Sequence, residues 1–168
     1  PSTVNVNLPV TLAALLFSSA QSYTLSGPNT IILAGPTGIS VDNGSHTIAV
    51  PIAVTDGGGL NIAGTGELTL SGANTYTGPT VASIPVLTVS SMANGGSPSS
   101  VGASASDGAN LVFNGTLRYV GPGHTSDRLF TLPTGTRTLD ASGTGALNLN
   151  NAGALTLTGT GARTLVLT

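Results

Sequence analysis

Any chemistry this chain performs would have to start from its six carboxylates: Asp42, Asp56, Glu67, Asp107, Asp127 and Asp140. A polysaccharide-cleaving site needs two carboxyl groups facing one bond. No two of these acids are closer than 11 residues in sequence, so only a fold that stacks distant segments would pair any of them. Asp107 and Asp127 are 20 residues apart, a spacing that would place them in neighbouring coils of a repeat of that length. Arg128 would then lie beside Asp107, and an ion pair is the simpler expectation. The densest polar cluster is Gly121-Pro122-Gly123-His124-Thr125-Ser126-Asp127-Arg128. Its His124, Asp127 and Arg128 could contact a sugar or an anion. The plainer reading is a solvated loop that Asp127 and Arg128 hold to the body. His46, after Asn43-Gly44-Ser45, is expected to face solvent or to cap a strand. Serine is abundant, but nothing marks a nucleophile.

Other chemistries lack their parts. Cysteine is absent, which removes disulfides, thiolate metal sites and cysteine nucleophiles together. The Gly-Gly-x-Gly-x-Asp calcium repeat is missing, and Asp56-Gly57-Gly58-Gly59 only echoes it. There is no phosphate loop and no dinucleotide fingerprint. The chain is therefore expected to need no metal and no cofactor and not to be an enzyme. Asn43-Gly44-Ser45 and Asn114-Gly115-Thr116 fit the N-glycosylation triplet, which chance supplies readily in such a composition.

Charge excludes further classes. Only 6% of the 168 residues are charged, with four Arg, no Lys and a net charge of −2, far below the quarter typical of soluble domains. Four scattered arginines make no nucleic-acid footprint, and the net charge gives no attraction to anionic membranes. Apolar residues reach 39% and aromatics 4%, so a core must be built from Leu, Val, Ile and Ala. Disorder goes with low hydrophobicity and high charge, and the 24 glycines show no collagen period. No apolar run is long enough to span a membrane. Val10 to Phe17 has no basic segment before it, so it reads as part of a buried first coil rather than as a signal-peptide core.

The elements that must position these residues are short strands. Leu68 and Leu70 alternate with Thr69 and Ser71, the period of a strand with one buried face. Gly72, Ala73 and Asn74 then turn the chain, Tyr76 opens a second extended run, and Val86 to Val89 follows Pro85. Most of the chain repeats this unit. Residues 3–17 read as two runs broken at Pro9, followed by Tyr23 to Leu25, Ile31 to Leu33, and Ile39 with Val41 after a turn at Gly35-Pro36-Thr37-Gly38. Asn43-Gly44 is a tight-turn signal. Thr47 to Val54 carries Pro51, which suggests an edge or corner. Residues 90–108 read as a loop excursion with a short helical turn near Met92-Ala93. Strands return at Leu111 to Phe113 and Thr116 to Val120. A second loop covers 121–127, and Leu129, Phe130 and Leu132 form a further strand. From Thr138 onward, Leu pairs recur at steps of 8 to 10 residues, too short for helical crossovers.

The stretch Gly64 to Val89 resembles the passenger-associated transport repeat of autotransporters, also called the autotransporter-associated β-strand repeat. That repeat reads Leu-Thr-Leu-Ser-Gly-x-Asn-Thr-Tyr-x-Gly-Gly-Thr, then a Leu-x-Val strand. Here Gly64 and Gly66 lead in. Leu68, Leu70, Gly72, Asn74, Tyr76, Gly78, Thr80, Leu87 and Val89 match, while Pro79 and Pro85 stand where glycines are expected. The resemblance implies a passenger segment exported through the outer membrane of a Gram-negative bacterium, folding outside the cell and displayed there.

Connections of Thr-Gly, Ser-Gly and Ala-Gly, with two or three strands per coil of about 20–25 residues, suit a solenoid better than hairpins. The expected fold is all-β: a right-handed parallel β-helix over residues 1–168, of about seven or eight coils at ~4.8 Å each, roughly 35 Å long. The last residues, Thr164 to Thr168, stop inside a strand, so the chain is expected to be a fragment of a longer rod. The leading functional expectation is a secreted or cell-surface structural and adhesive rod. Its partners would be host or matrix glycans or proteins, with no nucleic acid, and a membrane would be met only through a translocator outside this sequence. End-to-end self-association into an extracellular filament and a glycan-binding or glycan-processing β-helix are the alternatives.

Overall fold

The structure, a computed structural model, describes residues 1–34 and 38–168. The turn expected at Gly35-Pro36-Thr37 falls outside the described residues. The chain winds as a parallel β-solenoid with three strand positions in each coil. The first sheet position is held in successive coils by β1 (Ser2–Asn5), β4 (Tyr23–Ser26), β7 (Ser45–Ile48), β10 (Glu67–Leu70), β12 (Val86–Val89) and β14 (Thr116–Tyr119), then by the ends of β16 (Thr131–Asp140) and β18 (Thr156–Leu167). The second is held by β3 (Leu15–Phe17), β6 (Gly38–Val41), β9 (Leu60–Gly64), β11 (Thr80–Ser83), β13 (Leu111–Phe113) and the start of β16. The third is held by β2 (Val10–Leu12), β5 (Ile31–Leu33) and β8 (Ile52–Val54), and later in the path by β15 (His124–Ser126) and β17 (Leu147–Leu149). Every strand pairing is parallel.

The register explains why so uniform a composition suffices. Thr24, Thr47, Thr69 and Thr88 lie over one another on the outside. Leu25, Ile48, Leu70, Val89 and Tyr119 form the inner column beside them. The other inner column reads His46, Leu68, Leu87, Leu117, Leu139 and Leu167. Period-2 alternation sends one set inward and the other outward in every rung. Inner members such as Leu70, Leu87 and Val89 are fully buried, each worth about 1.5–3 kcal/mol. One hydrophobic cluster runs from Val6 to Leu139.

Several expectations are corrected. Residues 2–17 hold three short strands rather than two runs. The turn expected at Asn43-Gly44 is present, as a corner joining β6 to β7, which pair with different neighbours. Pro51 sits at the corner between β7 and β8, so the long run splits there. Met92-Ala93 is not helical; among the described residues the helical turns are 3₁₀, at Thr55–Gly57 and Gly108–Asn110. Three residues of the expected loop 121–127 are strand β15. The next strand begins at Thr131 rather than Leu129. It continues to Asp140, bending from the second sheet position to the first through an irregularity between Pro133 and Gly135, whose φ is +96°.

Candidate functional site

The motif residues of Gly64 to Val89 are placed by stacking. A Cβ on Gly72 would sit 2.2 Å from the Val50 carbonyl oxygen, and one on Gly64 equally close to that of Val41. Only glycine lets the backbone of one coil lie directly on the next. Gly66 and Gly78 meet the preceding coil's backbone in the same way. Leu68, Leu70, Leu87 and Val89 fill the inner columns.

Asn74 stands where this coil has no strand in the third sheet position. Fully buried, it accepts the Ile52 N–H on Oδ1 (2.8 Å) and donates from Nδ2 to the Ser100 carbonyl (2.8 Å). Its own N–H donates to the Ser99 carbonyl (3.0 Å), an isolated antiparallel bridge. One amide side chain thus replaces a rung, tying the coil before it to the excursion after it. Tyr76 is buried with its hydroxyl 2.7 Å from Thr80 Oγ1, which donates to the Val101 carbonyl (3.0 Å). Burial pushes the phenol well above its ordinary value, opposed by the Thr80 hydrogen bond and the Arg128 charge.

The excursion of residues 90–108 is packed rather than solvated. Ser99, Ser100, Val101 and Ser104 are buried, and Arg128 is the pin through it. At 2% exposure its Nε donates to the Ala93 carbonyl (2.9 Å), Nη1 to Ser104 Oγ (3.0 Å), and Nη2 to the carbonyls of Gly102 (2.9 Å) and Ser97 (3.5 Å). Burial lowers the guanidinium's affinity for its proton, with Tyr76 and Asp127 acting against that. Asp127 Oδ1 accepts the Gly95 N–H (2.7 Å), and the Asp127 N–H donates to Asn94 Oδ1 (3.0 Å). Asp127 and Arg128 therefore do hold the 121–128 stretch to the body, as expected; it is not all loop, since His124–Ser126 is strand β15, and Pro122, Gly123 and Thr125 are exposed. His124, Asp127 and Arg128 do not converge on one point: Arg128 points inward, Asp127 grips the excursion, and His124 shares a 2.9 Å hydrogen bond with the Tyr119 hydroxyl.

The Asp107–Arg128 ion pair is not formed. Among the described residues the ion pair is Arg118–Asp140 (2.8 Å), in the outer column that holds Thr88 one rung earlier. Hydrogen bonding from Ser142 and from Arg118 holds the Asp140 carboxyl down at about 2. Arg137 donates to the carbonyls of Thr134 and Thr136, and Arg163 to those of Leu132, Thr158, Gly159 and Gly161. All four arginines thus have partners within the chain. His46 does not face solvent; it caps a strand, its Nδ1 accepting the N–H of Tyr23 at the start of β4 (3.2 Å). It is buried in the leucine column, stacked on Phe17 at 4.4 Å and beside Tyr23 at 5.9 Å. Sequence reasoning named Arg128 as a tie to the body but not its partners, and it missed the burial of His46, because the neighbours of both come from segments 23 to 35 residues away. Among the described residues no group of three or more His, Asp or Glu is placed to hold a metal.

No protein-family model matches the chain, and no solved structure matches it. Among curated proteins it is similar to the Adhesin BmaC autotransporter of Brucella suis biovar 1 (strain 1330), at 37% identity over 147 residues. That alignment takes in 84% of this chain and 4% of the relative's length. The chain is thus a parallel β-solenoid whose sequence is homologous to a small part of an autotransporter adhesin.

Proposed function

We propose that this segment is a rigid, surface-displayed stretch of an adhesive passenger. It acts by contact rather than by catalysis, and reaches the cell exterior by autotransporter export. In this reading the Gly64–Val89 stretch is a passenger-associated transport repeat, in which Pro79 and Pro85 serve as corners. Both proline carbonyls accept an N–H from an adjoining coil, that of Leu60 (2.7 Å) and that of Thr116 (2.9 Å).

The observation that carries the proposal is the stacked register in which Thr24, Thr47, Thr69 and Thr88 form an outer row between two mainly aliphatic inner rows, in a chain homologous to part of an autotransporter adhesin. What the rod presents is sparsely charged: threonine, serine and asparagine with the exposed carboxylates of Asp42, Asp56 and Glu67, while each arginine has a hydrogen-bond partner within the chain. The fitting partners are host or matrix glycans or proteins recognised through hydroxyl and amide hydrogen bonds rather than through charge. Binding of the purified segment to an array of neutral and sulfated glycans tests this at low and high salt. Retention that barely changes with salt is expected, since exposed charge pairs weaken on screening. Binding restricted to sulfated glycans and abolished by salt would contradict it. Antibody labelling of intact cells producing the full-length protein checks display.

A further inference from the structure

The chain contains three Asn-Gly pairs, Asn43-Gly44, Asn94-Gly95 and Asn114-Gly115, and their surroundings differ in a way that bears on covalent change. We infer that Asn43 is a self-modifying site, deamidated through its Gly44 nitrogen with His46 assisting.

The reaction has two steps. Gly44 gives its amide proton to a solvent base. Its nitrogen attacks Asn43 Cγ, forming a C–N bond and closing a succinimide as the C–NH₂ bond breaks and ammonia leaves with a proton. Water then opens the ring to aspartate or isoaspartate. The attack needs the Asn side chain over its own following amide. At this exposed corner the side chain is folded back to that amide: the Gly44 N–H donates to Asn43 Oδ1 at 2.8 Å, so the nitrogen and the carboxamide are already side by side.

The second requirement is a place for the negative charge. When the Gly44 nitrogen loses its proton, charge spreads onto the Asn43 carbonyl oxygen. His46 Nε2 lies 2.8 Å from that oxygen. The tautomer is fixed, because Nδ1 accepts the Tyr23 N–H (3.2 Å), leaving Nε2 to carry the proton. A buried, oriented N–H aimed at a developing oxyanion is the arrangement that accelerates acyl chemistry elsewhere.

The other two pairs lack both features. At Asn94 the Gly95 N–H is held by the Asp127 carboxylate, whose charge opposes its deprotonation, and Oδ1 is occupied by the Asp127 N–H. At Asn114 the amide nitrogen donates to Ser83 Oγ (3.0 Å), tying the side chain to the neighbouring rung. Modification of Asn43 places a new carboxylate beside Asp42, and the isoaspartate form lengthens the backbone where the Gly44 carbonyl accepts the Glu67 N–H (2.9 Å).

Peptide mapping by mass spectrometry after incubation in mildly alkaline buffer reads all three sites at once, folded and in denaturant. In the folded chain Asn43 is expected to convert well ahead of Asn94 and Asn114, and its lead should collapse on unfolding. Replacing His46 by the leucine its column otherwise carries, His46→Leu, should slow Asn43 by about ten- to a hundredfold, the worth of one hydrogen bond to a charged group, and leave the other two sites unchanged. A lead equally large in denaturant would overturn the inference without recourse to the variant. So would an unchanged Asn43 rate in a folded His46→Leu chain.

Discussion

Removing the Arg128 guanidinium would take one donor from each of the Ala93 and Gly102 carbonyls, which keep the hydroxyls of Ser126 and Ser99, and one from the Ser104 hydroxyl. Each hydrogen bond to a charged group so lost is worth about 1.5–3 kcal/mol. Arg128→Met should therefore destabilise the chain by about 3 kcal/mol in urea unfolding and open residues 93–106 to protease before the coils. Asp140 gives a pH signature with a definite sign. Its carboxyl is held at about 2, against 3.8 for a free side chain. A depressed folded value means stability that is present above about pH 4 and lost as pH falls toward 2. Asp140→Asn should remove that acid-limb slope while leaving the slope near neutrality alone, which a series of melts from pH 7 down to 2 would show.

Among elements, the corners decide the stacking distance. Gly72→Ala drives a methyl into the Val50 carbonyl, main chain on both sides, so the coils must part. A loss of about 2–4 kcal/mol is expected from such overpacking. Gly161→Ala, whose new methyl meets only the Thr134 methyl at 3.4 Å, should stay within about 0.5 kcal/mol of the parent. Denaturation midpoints of the two variants check the contrast. The strands themselves were legible wherever inward aliphatics alternate with Thr or Ser, as at Leu68-Thr69-Leu70, because burial on one face leaves a period in the sequence. Strand β15 was not legible: His124-Thr125-Ser126 carries no aliphatic, and its order comes from pairing with Leu147–Leu149. The excursion was legible as a break in the pattern but not as a packed element. What packs it is one arginine and one asparagine reaching across 24 to 35 residues, and such contacts leave no local period. His46 was hidden for a related reason. A polar residue replaces leucine in the inner column there because the Tyr23 N–H and the Asn43 carbonyl satisfy both ring nitrogens.

As a whole, the molecule is a one-dimensional stack in which each coil contacts its neighbours, so stability accumulates rung by rung. Charge contributes little to it, and melting temperature is expected to change little with ionic strength, a readout on which a fold built on surface ion pairs would differ. The adhesive reading needs this stack, because a stiff column holds its outer hydroxyl rows in fixed register. The absence of cysteine makes the register directly measurable by introduced disulfides. Thr47 and Thr69 are partners in adjacent rungs, and Thr69 and Thr88 in the next pair. Adjacent rungs lie about 4.8 Å apart, within disulfide reach, whereas two rungs span about 9.6 Å, beyond the limit of about 7 Å. The account predicts rapid crosslinking on oxidation of Thr47→Cys/Thr69→Cys and of Thr69→Cys/Thr88→Cys, and none within the monomer for Thr47→Cys/Thr88→Cys. Crosslinking of the last pair, or failure of both adjacent pairs in folded protein, would contradict the stacked column.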